Sequence, residues 1–343
     1  MIRVWVAVRA CGRGLLVGCE GAYPRGAAVA AWLVLGGCTL LAPMDDLAGE
    51  PRGHDPVDAS FDDGAGGVDG DVGEGGVQDS SGTGEDGESD ASVCGTCNEL
   101  EDCWNGVLCV AKSVKVTGGY AMDATEVTRG QYMAWLALSP PTSSLPGRCS
   151  WNDSYAPGAG TACQSASDPS KPNVPVNCVD WCDAKAYCEY VGKHLCGRIG
   201  GGAVPMEQDQ LADPSLSAWY NACSSGGLYD YPYGDEWVEG ACNVGSPQDA
   251  TTLPVESFDT CTSAVPGFEG VYQLVGNVAE WEDACDDSHV APLAAQDKCA
   301  VRGGYWASEP LTATCSRAIW VARSPNTSDG RMVGFRCCSD VGD

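Results

Sequence analysis

Cysteine constrains this chain more than any other residue type: 21 of its 343 residues are cysteine. Reducing compartments keep thiols apart, so a density of about 6% points to an oxidising compartment and a disulfide framework. Zinc is the competing use of clustered thiols. Only three histidines are present, and no two CxxC motifs stand at zinc-finger spacing, so the framework reading is preferred. The formal charge of −28 repels phosphate backbones and excludes nucleic acid as a partner.

Composition divides the chain into four stretches. Residues 1–37 end in an apolar run, AAVAAWLVLGG (27–37), behind a flank containing Arg25. The run is too short for a membrane-spanning helix and fits a signal peptide's apolar region. Leu35-Gly36-Gly37-Cys38 resembles a bacterial lipobox, which predicts a lipid on Cys38 and a place on the bacterial cell envelope, facing periplasm or exterior. The alternative is an ordinary signal peptide cut nearby. Residues 38–93 are rich in Gly, Asp, Glu and Ser and hold few large apolar side chains, too few to offset chain entropy. They read as a disordered, lipid-anchored tether of about 50 residues, reaching on the order of 40 Å. Removing Cys11, Cys19 and Cys38 leaves 21 − 3 = 18 cysteines, an even number.

In residues 94–110 the spacing Cys94-x2-Cys97-x5-Cys103-x5-Cys109 predicts two local disulfides, because so short a segment cannot build a core. Residues 111–343 read as mixed and loop-rich. VKVTGGYAMDATEVT suggests short strands. Thr128, with Gln131 three residues on, predicts a capping box and a helix whose Tyr132, Trp135 and Leu136 share one face. A second helix is expected from Asp180 to Val191, with Trp181, Ala184, Cys188 and Val191 on one face and Gly192 as its stop. A third is expected to start at Asp213-Pro214.

Seven segments in order carry a resemblance: GGYAMDATEVTRGQYMAWL (118–136), PVNCVDWCDAKAYCEYVGKHL (175–195), WYNACSSGG (219–227), YPYG (231–234), QLVGNVAEWEDAC (273–285), VRGGYW (301–306) and VARSPNTSDGRMVGFRC (321–337). They resemble the formylglycine-generating enzyme (sulfatase-modifying factor) domain family. The resemblance implies an α+β fold, a loop-rich C-type-lectin-like variant with multiple disulfides. Active members oxidise a sulfatase cysteine with copper(I) held by two thiolates five residues apart, soft ligands suited to a soft ion. Here Cys315 matches the second thiolate. Pro310 stands five residues earlier, and counting from the glycines reaches Ser308. The family's GGS is GGY, at Tyr305, and its NxWEW is Asn277-Val278-Ala279-Glu280-Trp281. Cys315 is therefore either a surviving copper ligand or half of a disulfide with Cys285 or Cys299. The reading is a non-catalytic binding or structural module with a protein or glycan ligand; the alternative is a copper-dependent oxidase.

The resemblance also implies calcium on the side chains of Gln273 and Glu280 and the carbonyls of Gly276 and Val278. A second, weaker calcium site would use Asn243 and Val244, with Asp249 as a further guess. The alternative for Glu280 is a hydrogen-bonded turn without an ion. Finally, the resemblance pairs Cys188 with Cys337; Cys182 and Cys338 are the competing partners. Cys188 lies on the inward face of its helix, and closing so long a loop stabilises by roughly 5 kcal/mol on the chain-entropy model.

Overall fold

A tight turn and two crosslinks shape the first elements. Strands β1 (Glu101–Trp104) and β2 (Leu108–Ala111) pair antiparallel, with Cys103 opposite Cys109. In the three-residue connection between them Asn105 and Gly106 both have positive φ, 48° and 69°, a backbone that Asn-Gly adopts cheaply, and Val107 N closes the turn on Trp104 O at 3.0 Å. Disulfides Cys94–Cys103 and Cys97–Cys109 tie the preceding loop to both strands. The computed structural model describes residues 94–341 except 96, 146, 159–162, 164–166, 246–250, 291 and 325–331. The expected signal peptide, Cys38, the tether and Asp249 lie outside the described residues.

Two four-stranded sheets follow. In the first, β3 (Ser113–Val116), β4 (Tyr120–Asp123), β10 (Cys337–Asp340) and β5 (His194–Leu195) stand in that order, all antiparallel. In the second, the order is β8 (Ala318–Ala322), β7 (Lys298–Arg302), β6 (Ala279–Cys285) and β9 (Val333–Gly334), and the β6–β9 pair is parallel. The α+β class and the disulfides stand. The C-type-lectin-like topology does not: two separate short-stranded sheets, one holding a parallel pair and the other threaded by the last strand, form a different arrangement. Strands of two to seven residues are aligned here by distant crosslinks and buried polar groups, which local sequence pattern does not encode.

Helix α1 (Arg129–Ala137) begins at the Thr128–Gln131 capping box, with both reciprocal hydrogen bonds made. Helix α2 (Trp181–Tyr190) begins at Asp180, which forms the same box with Asp183. The two helices share an aromatic core: Tyr132, Trp135, Tyr187 and Phe335 meet with ring centroids 5.1–6.1 Å apart, mostly edge to face. Truncating Trp135 there costs about 3–5 kcal/mol. A second core gathers around Trp219, Met122, Leu274 and Val275. The third helix differs from expectation. Short helices α3 (Gln208–Leu211) and α4 (Ala218–Cys223) flank Asp213-Pro214, and Ser217 caps α4. Asp213 instead accepts from Ser215 N at 2.8 Å and Ser215 Oγ at 2.7 Å, a turn geometry that competes with helix capping.

Candidate functional site: a loop closed by a disulfide

Strand β7 leads into Gly303-Gly304, both at positive φ. A side chain on Gly303 would meet Leu274 O at 2.3 Å, so the chain can pass only as glycine. Tyr305 and Trp306 follow, and then a turn in which Ser308 Oγ accepts from Tyr305 N at 2.9 Å. Pro310 sits against Gly245. Cys315 ends the loop, with no solvent exposure and its sulfur bonded to Cys223 of α4. The loop is held from two more directions: Cys315 N donates to Asp230 O at 2.8 Å, and Arg302 Nη2 donates to Cys315 O at 2.8 Å. Stacked Tyr231 and Tyr233, with Trp237 beside them, follow directly on Asp230, and Tyr305 packs edge-on to Trp306.

This settles the partner of Cys315. It is Cys223, not Cys285 or Cys299, which lie opposite each other on β6 and β7 and bond to one another. Direct cross-strand neighbours are already within bonding reach, so their pairing leaves Cys315 to α4. All eighteen cysteines among the described residues are in nine disulfides, Cys188–Cys337 included. The tight groups of metal-type side chains, Cys94/Cys97/Cys103 and Cys97/Glu101/Cys109, therefore offer no thiolate either. Copper(I) needs thiolate sulfur, and the described residues do not fit it.

The residues proposed for calcium converge on one buried turn. Gly276 touches the Asn243 carbonyl so closely that a Cβ would lie 2.4 Å from it, and Asn277 N donates to the same carbonyl at 2.9 Å. Asn243 Nδ2 donates to Asn277 Oδ1 at 3.1 Å, so the two sets adjoin. Val244 and Val278 are buried beside them. Gln273 donates Nε2 to Val255 O at 2.8 Å and leaves Oε1 buried without a partner among the described residues. Glu280 is otherwise engaged. Arg336 grips it with two hydrogen bonds, Nε to Oε2 at 2.8 Å and Nη2 to Oε1 at 2.7 Å, and Trp219 Nε1 adds a third at 2.8 Å. Calcium takes six to eight oxygens, carboxylates foremost. Here the one charged ligand is saturated by a guanidinium and one side-chain oxygen remains open, so the set does not fit calcium as a complete site.

A residue the sequence reading passed over sits at the centre. Glu126, fully buried, accepts from Asn277 Nδ2 at 3.1 Å, and its other oxygen has no partner among the described residues. Burial pushes its carboxyl up to about 8; Arg336 opposes this, and the charge of Glu280 adds to it. Burial works against the charge of Arg336, yet Glu280 outweighs it and holds the guanidinium above its ordinary range. One cation thus serves one of two buried carboxylates, and Glu126 keeps its proton at neutral pH. The only sequence signal was its place two residues before the Thr128 cap.

Fold and site together define an α+β, heavily crosslinked domain with no free thiol among the described residues. Residues 86–341 match the model of the sulfatase-modifying factor enzyme 1-like domain, and the chain belongs to that family. It is similar to the inactive C-alpha-formylglycine-generating enzyme 2 of Bos taurus, 28% identical over 204 residues that cover 57% of this chain and 58% of that protein. It is also similar to the formylglycine-generating enzyme of Streptomyces coelicolor, 30% identical over 199 residues that cover 50% of this chain and 54% of that one. The chain thus spans little more than half the length of these relatives. Among solved structures it is similar to PvdO from Pseudomonas aeruginosa, with a TM-score of 0.43 and 20% identity over 68% of this chain and 83% of that one.

Proposed function

We propose that this protein is a non-catalytic binding or structural module, held by a lipid on Cys38 at a bacterial cell envelope, with an acidic tether between anchor and domain. One observation carries the non-catalytic part: the sulfur of Cys315 is buried and covalently closed by Cys223. The first thiolate position falls on Pro310 or Ser308; the one has no ligand atom, and the other's hydroxyl is engaged in its own turn. One relative carries the word inactive in its name and another is an enzyme, so the names alone do not choose. Anchoring rests on the Leu35–Cys38 pattern; among the described residues no helix is long and apolar enough to cross a membrane. Two aromatic groups, Tyr233 and Trp237 around buried Tyr231, and Tyr305 with Trp306, suit a partner, a protein segment or a glycan, that stacks on ring faces.

The test is copper(I) titration of the purified protein, followed by thiol alkylation without reductant. The expected result is no thiolate–copper charge-transfer band and no label on Cys315. A stoichiometric band, with oxidation of a cysteine peptide, would establish the copper oxidase instead.

A further inference from the structure

The first residue of α1 carries a charge that no contact ion pair among the described residues neutralises, although Asp168 acts on it through space. Arg129 is 3% exposed, and its Nε and Nη1 have no hydrogen-bond partner among the described residues. Nη2 reaches Thr252 Oγ1 only at 3.5 Å, the long limit of a hydrogen bond. The other buried arginines are treated differently. Arg302 meets Glu282, Arg323 meets Asp287 and Asp297, and Arg336 meets Glu280. Among the described residues, Arg129 is the buried arginine without a carboxylate in contact. Guanidinium groups remain protonated even when buried, so this charge is not removed by titration.

Arg129 lines a cavity of about 180 Å³ that opens between α1 and the loop before α2. At about 30 Å³ per water, that is room for roughly six waters or a short organic molecule. Met133, Pro169 and Pro172 give it apolar walls. Asp168 also faces it, but its Oδ1 is engaged with Ser170 N at 2.9 Å and Ser170 Oγ at 2.7 Å, and it makes no ion-pair contact with Arg129. The nearby backbone amides are closed: Arg129 N donates to Val174 O and Gly130 N to Pro172 O. The donors left without a partner among the described residues are Nε and Nη1 of the guanidinium, themselves shielded from solvent at the inner wall.

We propose that this cavity is a carboxylate-binding site, with the Arg129 guanidinium as its anchor and the prolines and Met133 as walls for the short chain bearing the carboxylate. The planar fork of a guanidinium matches a carboxylate with two parallel hydrogen bonds. Asp168 at the same cavity opposes any anion, a phosphate dianion more strongly than a singly charged carboxylate, and the apolar walls favour the ligand with the short carbon chain. The carboxylate belongs either to a free short-chain acid or to the side chain or terminus of a peptide. The site does not depend on the Cys315 loop's being non-catalytic.

The test titrates the full chain at constant ionic strength with propionate, with chloride and propionamide as controls, and with two capped dipeptides, acetyl-Ala-Glu-amide and acetyl-Ala-Ala. Binding is read by NMR shift changes and by Tm. Propionate should saturate in the millimolar range while chloride and propionamide do not. Arg129→Met should weaken it about tenfold to a hundredfold, the worth of a charged hydrogen bond. That variant should stay folded, since exchanging an unpaired buried charge for an apolar side chain of similar size is tolerated. Arg129→Lys should retain part of the affinity. A dipeptide binding tenfold tighter than propionate assigns the site to peptides; otherwise it is a site for free acids. Propionate no better than chloride, or unchanged affinity in Arg129→Met, would overturn the proposal. So would binding confined to Asp168→Asn, because Asp168 would then be the true partner.

Discussion

Replacing Cys223 by alanine separates the two things its disulfide does. The Cys223–Cys315 bond closes a separation of 92 residues. On the chain-entropy model a loop of that size restricts the unfolded chain by roughly 4.6 kcal/mol. Cys188–Cys337 and Cys196–Cys338 already bracket it, which shortens the free path and brings the expectation to about 4 kcal/mol. For a domain of this size each kcal/mol moves Tm by about 2–4 °C, so scanning calorimetry should show a fall of roughly 8–16 °C. The double variant Cys223→Ala/Cys315→Ala should fall by nearly the same amount, since one bond is lost in each case. The single variant also frees the Cys315 thiol. A lone sulfur cannot hold copper(I) between two thiolates, so no cysteine oxidation should appear when copper is added. A Tm change of under about 3 °C would mean that the crosslink constrains nothing. Copper-dependent oxidase activity in the single variant would refute the functional reasoning, because the disulfide alone would have been masking a competent site.

Four further outcomes are expected. The carboxyl of Glu126 is raised from about 4.5 to about 8, so the folded state binds the extra proton and stability should decline as pH rises through that window, by on the order of 4 kcal/mol. Denaturant midpoints at pH 5 and 8.5 should show Glu126→Gln with a flatter profile; an unchanged slope would sink the assignment. Glu280→Gln strips the carboxylate from buried Arg336 and should cost about 3–5 kcal/mol by urea unfolding, while Glu280→Met/Arg336→Met together should cost clearly less. Millimolar calcium should leave Tm unchanged, whereas a rise that Gln273→Met abolishes would place an ion at that turn. Mass spectrometry of membrane-extracted protein should find an acylated Cys38 at the mature N-terminus, and an unmodified terminus elsewhere would remove the anchor from the proposal.

What the sequence revealed was mostly local. The Thr128–Gln131 box and the Asp180 cap involve groups three residues apart, and spacing alone announces them. The Asn105-Gly106 turn was equally local and went unread. Asp213-Pro214 misled because an Asp before Pro suits a turn as well as a helix cap, and Ser215 supplied the turn's hydrogen bonds. Partners far apart in sequence were out of reach. Arg336 lies 56 residues from Glu280, and Cys223 lies 92 from Cys315, with no periodicity joining either pair. Glu280 shows the consequence most clearly. The resemblance implied a calcium ligand there, with a hydrogen-bonded turn as the alternative, and the structure gives the carboxylate to a guanidinium that sequence pattern could not locate.

The adjacent cysteines at the start of β10 bear on how the protein is made. Neighbouring residues on a strand point to opposite faces. Cys337 bonds Cys188 of α2 in the core of Trp135 and Phe335, while Cys338 bonds Cys196 in the core of Trp219. The strand is thus a two-sided rivet, and of the described elements it is the last to leave the ribosome. Neither long crosslink can close before β10 has been made; both wait until it has slid between β4 and β5. Exchanging the two partners would need the strand to shift by one residue and turn every side chain to the wrong face. Strand register therefore proofreads the oxidation, and a misoxidised chain is left with an unfilled slot between β4 and β5, a surface by which a quality-control protease could tell it from the finished protein.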